Sequence, residues 1–600
     1  MSSNRRYLFA AVLFGFQAFG QVIGYSGPQL TLPLSTSKPE DRCVLQGRVT
    51  NSITGEAVKK ANIRLQKRLS ASEINSGAAN MQGYAATSET DGTFKIENIE
   101  PGTYTLSGNR TGYLNTRYGA KSLSQMGTLI ALTKGQQMTG VNLTLIPQAV
   151  ISGKVVDQDG DPVPNAQVRL VGQMWQRGKL RFMSRNGSNT NDLGEYRIAN
   201  VAPGKYYVFA QKMGGMMNAE AVTEPGKPDV RAVKTFYPDT PSIDAATPID
   251  VKAGQDVPGT DIRMASAATY HIRGKIVGNL PENSNNNLSV NVAERDPDTM
   301  GFFMFGASAN VTKDHTFDIA GVTPGSYSIN LYSMNGQLNT LGHQNVDVGE
   351  ADVSDVQLAL VQPGSTNGQI LLEGTRPAGT APANVKNVHL YLNSADTTVM
   401  MVMNGETTPK DDGSFTIENI VPGKYYVNVN RPAGTYLKSV RYGNQELLGK
   451  AIDLTPGTGL LTLVFSYGVA EMDGAIQQPE TAAPSGNVTG TAQPNSKPRA
   501  SIVLIPETLN EDGSGIHYGN SNPDGSFSVK GVPPGHYRAY AFEEVDNQQF
   551  QNPDFCKQVE SKGLEIEFKE NDKKQIQLPL ISEEEVQEIY TRLGIDPSQN

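Results

Sequence analysis

Six histidines stand in the 600-residue chain: His271, His315, His343, His389, His517 and His536. A zinc hydrolase would show two imidazoles one helical turn apart with a glutamate base between them, H-E-x-x-H, and no such pair occurs. No G-x-S-x-G nucleophile elbow is present. The glycine-rich stretches lack the strand-to-helix setting of a phosphate loop. The two cysteines, Cys43 and Cys556, form no C-x-x-C pair. Carboxylates do recur, at Asp91, Asp192, Asp314, Asp412 and Asp524, each at an expected turn. Turn-making accounts for them. Calcium needs several convergent oxygens, and the alternating Asp157, Asp159 and Asp161 are the best-placed alternative. Neither a catalytic set nor a cofactor is implied, and the expectation is a non-enzymatic protein.

The other residues suited to recognition are aromatic and sulfur-bearing. The only tryptophan is Trp175, with Arg177 and Phe182 close by. About one domain further on stand Phe302, Phe303 and Phe305, and after another interval Met401. Period-2 alternation makes part of this ordinary strand with one buried face. The remainder suits an exposed ligand surface. A concave aromatic face would favour glycan, a flat apolar strip would favour protein, and burial would favour a spacer.

These residues are positioned by a repeat. Asp91-Gly92-Thr-Phe94-Lys-Ile96-Glu-Asn-Ile99-Glu-Pro101-Gly102-Thr-Tyr104 returns four times, ending at Tyr206, Tyr327, Tyr425 and Tyr537. The spacing is domain-sized, so each unit can bury its own core. Asp-Gly makes a tight turn, Phe94 and Ile96 alternate inward, Pro-Gly makes a second turn, and Tyr104 opens the returning strand. The tyrosine ring should pack on the turn with its hydroxyl at the edge. In the third copy His315 replaces glycine, which predicts a looser or different turn. Each unit opens alike, at Gly47, Gly153, Gly274, Gly368 and Gly474. About seven short strands per unit predict an all-β chain of tandem Greek-key sandwiches.

The expected boundaries are 43–147, 148–266, 267–362, 363–470 and 471–581, with a flexible Pro/Gly/Ser-rich loop at 477–499. Residues 21–42 read as a leader. Residues 1–20 read as a signal peptide, with Arg5 and Arg6 before the apolar Tyr7–Phe19 and a small-x-small site at Ala18–Gly20. Export follows, to periplasm, outer surface or medium, without a transmembrane segment in the mature chain. Removing that segment changes the formal charge from −9 to −11, spread along the chain, which disfavours nucleic acid. Export also permits a disulfide between Cys43 and Cys556, against the alternative of two separate thiols. At the C-terminus the period changes. Ser582-Glu-Glu-Glu585 is a capping box, and Val586, Ile589, Tyr590 and Leu593 share one helical face over 582–594. That helix either covers the last sandwich or docks a partner.

The repeated turn–strand–turn–strand motif resembles the carboxypeptidase regulatory-like domain family. The resemblance implies transthyretin-like sandwiches, which also resemble carbohydrate-binding-like folds. Phe236-Tyr-Pro-Asp-Thr-Pro241, Tyr442-Gly-Asn-Gln445 and Asn552-Pro-Asp-Phe555 look like the large secreted multi-domain proteins of this type from environmental bacteria such as acidobacteria. Nothing resembles the zinc peptidase domain beside which such domains lie in carboxypeptidases. A likeness to Gram-positive pilin B-type domains implies an internal lysine–asparagine bond assisted by an acid. Lys154 and Lys275 stand on opening strands, but Gln369 and Ala475 fill that place elsewhere, so solvent-facing lysines are expected. The function expected is a binding or adhesion scaffold contacting protein or glycan at the cell envelope. The alternatives are a carbohydrate-binding module and a structural spacer or assembly subunit.

Overall fold

The structure is a computed structural model describing residues 38–68, 83–120, 127–212, 227–278, 288–295, 299–300, 307–333, 339–361, 363–376, 378, 383–396, 407–454, 459–477, 500–522 and 524–595. The signal peptide, most of the leader, the 478–499 loop, Phe302, Phe303, Phe305 and Met401 lie outside the described residues.

Alternating apolar residues build tandem β-sandwiches, each around its own core. In the first unit the opening strand Cys43–Asn51 is central to one sheet. It runs antiparallel to Thr93–Ile99 and parallel to Gln137–Leu145. The facing sheet orders Gly83–Thr87, Asn62–Lys67, Gly102–Asn109 and Thr116–Arg117. The opening strands Ser266–Val277, Gly364–Glu373 and Ala470–Gln477 repeat the antiparallel and parallel pairing. In the second unit Ala149–Val156 takes its parallel partners as two short pieces, Asp256–Val257 and Ile262–Arg263.

The glycine on each opening strand is set by this register. Gly47 lies opposite Phe94, Gly274 opposite Phe317, Gly368 opposite Phe415 and Gly474 opposite Phe527. A Cβ there would meet the phenylalanine ring on one side and a carbonyl oxygen of the parallel strand on the other. Gly153 faces Tyr196, whose hydroxyl donates to Thr260 O at 2.6 Å, the same carbonyl that crowds a Cβ at Gly153. The missing side chain lets the ring lie flat on the backbone.

The repeated motif makes two further fixed contacts. Asp91 Oδ1 accepts from Thr93 N at 3.0 Å and from the Thr93 hydroxyl at 2.7 Å. Asp412 and Asp524 do the same for Ser414 and Ser526. Just before Ile99, Val201, Val322, Ile420 and Val532 end their strands, the register slips by a residue. The left-handed residue at the slip is Asn98, Asn200, Gly321, Asn419 or Gly531. Asparagine and glycine are the residues that tolerate it. The slip turns Ile99 and its equivalents back into the core.

The tyrosine that closes the motif is a corner. Its hydroxyl donates to the carbonyl four residues back in every unit: Tyr104 to Glu100 (2.7 Å), Tyr206 to Ala202 (3.1 Å), Tyr327 to Thr323 (2.9 Å), Tyr425 to Val421 (2.6 Å) and Tyr537 to Pro533 (3.0 Å). The expectation of a hydroxyl at the edge is corrected: the ring is buried and the hydroxyl satisfies the carbonyl before the Pro-Gly turn. The expectation of a different third turn is corrected too. His315 takes φ +61°, matching Gly92 at +82°, and His315 N donates to Thr312 O at 3.0 Å as Gly92 N does to Glu89 O. Three flanking hydrogen bonds hold the histidine in a conformation that costs an L-residue about 1–2 kcal/mol.

The C-terminal helix Glu583–Leu593 has its capping box, and Gly594 ends it at φ +66°. Val586, Ile589 and Tyr590 are buried on the outer face of the last unit. The helix Pro553–Val559, which the period did not disclose, adds Phe555 and Val559 to the same second core. Both thiols are free. Cys43 donates to Thr133 O at 2.9 Å inside the first unit, while Cys556 lies in the last.

Neighbouring units share strands. Asp229–Ala232 precedes the end of the second unit, yet pairs with Ser266–Thr269 at the start of the third unit's opening strand. Thr299–Met300 runs parallel to Phe182–Met183.

Candidate functional site

Among the described residues the longest hairpin belongs to the second unit. Ala166–Gln176 and Lys179–Asn189 are joined by Arg177 and Gly178 alone. Both take positive φ, +52° and +71°, the two-residue turn that matches strand twist. Trp175 pairs with Leu180, Gln173 with Phe182 and Val171 with Ser184, so the register sets Trp175, Leu180 and Phe182 on one face. That face carries a small apolar cluster outside the main core, formed by Val171, Phe209 and Phe236 with Phe182 and Tyr207 against it. Phe182 meets Tyr207 edge-on at 5.6 Å. Trp175 is half-buried and Leu180 is exposed.

Arg177 stands apart from that cluster. Its guanidinium carbon lies 4.2 Å from the centre of the Tyr426 ring, and its backbone N–H donates to Gln551 Oε1 at 3.2 Å. The structure therefore brings Trp175, Arg177 and Phe182 onto one hairpin but gives them different neighbours.

The Asp157 loop is closed by its own acid. Asp157 Oδ1 accepts from Asp159 N at 3.0 Å and Asp161 N at 2.9 Å. Among the described residues no group of three or more His, Cys, Asp or Glu is placed to hold a metal ion.

An open depression of about 730 Å³ lies beside the second unit's opening strand, lined by Lys154, Asn191, Glu195, Arg197 and Asp261. Lys154 Nζ sits 3.2 Å from Glu195 Oε1, and Asn191 Nδ2 donates to Glu195 Oε2 at 3.3 Å. Lysine, acid and asparagine thus meet here, across opening strand and turn, where the opening strands taken alone show only the lysine. Amide formation needs a neutral amine to attack the carboxamide and expel ammonia. Lys154 is 55% and Glu195 44% exposed, and hydrogen bonds from Asn191 and then Lys154 hold the Glu195 carboxyl below its ordinary range. The arrangement is a solvated ion pair.

A charged cluster joins the second and third units. His271 Nδ1 meets Asp318 Oδ1 at 2.6 Å, and Arg273 reaches Asp318 at 3.0 Å and Asp352 at 2.6 Å. Asp229 approaches His271 Nε2 at 3.9 Å and accepts from Arg231. These pairs tie the opening strand to its neighbours and present no nucleophile.

The fold and this site define a class of protein: tandem β-sandwiches whose recurrent polar side chains are structural. Residues 44–146 and 150–234 match the profile of the carboxypeptidase regulatory-like domain, a regulatory and not a catalytic family. A comparison with curated proteins finds no match. Among solved structures, the chain is similar to the Bacillus anthracis TIE protein at 12% identity, with 72% of this chain and 73% of that one covered and a TM-score of 0.14. It is similar to a streptococcal ancillary pilin at 14% identity, with 53% and 99% covered and a TM-score of 0.17. For GBS52, a minor pilin of Streptococcus agalactiae, the values are 12%, 40% and 99%, with a TM-score of 0.21. The fold assignment rests on the strands described above and the matched profile, not on these three. Among the described residues no helix is long and apolar enough to cross a membrane.

Proposed function

We propose that the chain is an exported, non-enzymatic scaffold of carboxypeptidase regulatory-like domains that makes protein contacts at the cell envelope. One observation carries the reading. The polar residues that recur from unit to unit are engaged in turns, tyrosine corners and strand pairing, which leaves the divergent segments for recognition. Among the described residues of the hairpin face, Phe182 is packed edge-on against Tyr207 and does not stand free as a flat sugar platform. The exposed Leu180 beside half-buried Trp175 suits an apolar strip for a protein surface.

The test is a glycan array probed with the mature protein, run beside surface-plasmon-resonance binding to solubilised envelope proteins separated into defined fractions. Trp175→Ala is the control in both. Saturable binding to a protein fraction, weakened at least tenfold in the variant, is expected, with a blank array. Saturable glycan binding lost in the variant would replace this reading with a carbohydrate-binding module. Absence of binding in both assays would leave a spacer.

A further inference from the structure

The turn Arg177–Gly178 touches two other units. The Arg177 guanidinium lies over Tyr426 of the fourth unit, 249 positions along the chain. Its N–H donates to Gln551 of the fifth, 374 positions along. A Cβ added at Gly178 would lie 3.8 Å from Pro553, so the backbone itself is close to the helix Pro553–Val559. The receiving side is built. Gln551 Nε2 donates to Gly513 O at 3.0 Å, which aims its Oε1 at the hairpin. Asp546 and Asn552 cap the turn and the helix on either side of it.

The fourth and fifth units meet independently of this. Arg431 donates to Gly531 O at 2.9 Å, Glu511 N donates to Gly449 O at 2.9 Å, and Asn571 N donates to Gly468 O at 3.3 Å. The second and third are joined by the shared strand Asp229–Ala232 and by Lys234, whose ammonium meets Glu294 at 3.0 Å. A short connection near residues 360–364 leads from the third to the fourth. Contacts between the second and third units, the chain connection from third to fourth, and contacts between the fourth and fifth therefore close on the second unit through the hairpin tip.

We infer that the hairpin tip is an intramolecular latch that folds units two to five back on themselves, and that its release opens the chain into an extended string. The closing contact differs from the others in one respect: no chain connection lies beside it. It consists of one cation–π contact, one backbone hydrogen bond and the packing of the hairpin end against Asn547–Gln551 and Pro553, between units that are not consecutive in the chain. Consecutive units stay tethered when a contact between them breaks, so this is the joint whose release lets the units move apart. The inference does not depend on what the scaffold binds. It concerns how far it reaches.

The test is small-angle scattering of the full mature chain. The variant is Arg177→Asn with Tyr426→Leu and Gln551→Ala; asparagine is chosen because it tolerates the positive φ of position 177. Equal beads in a closed square with one bead appended, compared with the same beads in line, give a radius of gyration about 1.5-fold larger when fully open. The wild type should match the folded-back value and the variant should rise towards the open one. Hydrogen exchange of the five opening strands must stay unchanged, which separates opening from unfolding. Lysine cross-linking of the wild type supplies a second measurement free of mutations. Lys179 follows the turn and Lys557 lies in the helix it touches, so a Lys179–Lys557 cross-link is expected. An extended wild type without that cross-link overturns the inference, and so does a variant that scatters as the wild type does.

Discussion

His517 makes the last unit sensitive to acid in a defined window. It lies on the strand His517–Asn520, with its ring edge-on to Tyr537 at 6.0 Å. Its Nε2 is sealed from solvent without a hydrogen-bond partner, although the residue keeps an exposed edge. Burial, and then the Arg431 guanidinium arriving from the fourth unit, push the imidazole down from 6.5 to about 4. The unfolded chain then binds a proton that the folded chain refuses. The stability is fully present above pH 6.5 and is lost as pH falls towards 4. Linkage gives a loss of about 2 kcal/mol at pH 5 and about 3 kcal/mol below pH 4. The variant His517→Phe keeps a ring against Tyr537 and removes the proton. Several units share the chain, so the assay must be local. Hydrogen exchange of the strand Gly535–Phe542, corrected for intrinsic rates, reads this unit alone. Opening free energy in the wild type should fall between pH 6.5 and 4.5 and stay nearly flat in the variant. An equal slope in both would refute the reasoning, because the acid response would then belong to other groups.

Three other substitutions test the repeat itself. Tyr104→Phe removes the hydroxyl that donates to the Glu100 carbonyl in a buried corner and should cost the first unit about 1–2 kcal/mol by local hydrogen exchange. Gly474→Ala places a Cβ against the Ile576 carbonyl and the Phe527 ring and should destabilise the fifth unit by about 2–3 kcal/mol, with exchange rising in Ser526–Val532. His315→Gly should stabilise the third unit by about 1 kcal/mol, since the turn already holds the left-handed conformation that glycine adopts freely. If exchange protection of Thr316–Val322 falls in that variant, the histidine has a packing role that its backbone does not disclose.

The local parts of the fold were legible because they are made by neighbours in sequence. Asp91 reaches only to Thr93, and Tyr104 only to Glu100, so a repeated string of fourteen letters contains both contacts. The opening glycines were visible as markers but not as causes. Their reason is the ring opposite, and Gly47 and Phe94 are 47 positions apart. Asn98 stood in the quoted motif, and its left-handed slip could have been read from the Asn/Gly alternation at that place across the copies. The partner of Arg177 could not. Tyr426 and Gln551 are brought to it by domain placement, which no period or spacing encodes. The same limit hid the meeting of Lys154 with Glu195 and Asn191, which cross between opening strand and turn.

This division bears on where function resides. A residue repeated in five units because the turn or corner requires it is saturated by its own unit, and its recurrence says nothing about a ligand. Asp91, Asp412 and Asp524 each bind a following hydroxyl and N–H, and the corner tyrosines each bind a carbonyl. The proposed function therefore places recognition at positions where the units differ while the scaffold is the same. The stretch before the Asp turn is the clearest such place. In the first unit it is a five-residue strand holding Tyr84 in the core. In the second it grows to eleven residues, turns its apolar side chains onto the outer face and sends its tip to two other units. Lengthening one hairpin on an otherwise fixed sandwich alters the surface without altering the core, and it is on that hairpin that the proposed binding face and the proposed chain closure meet.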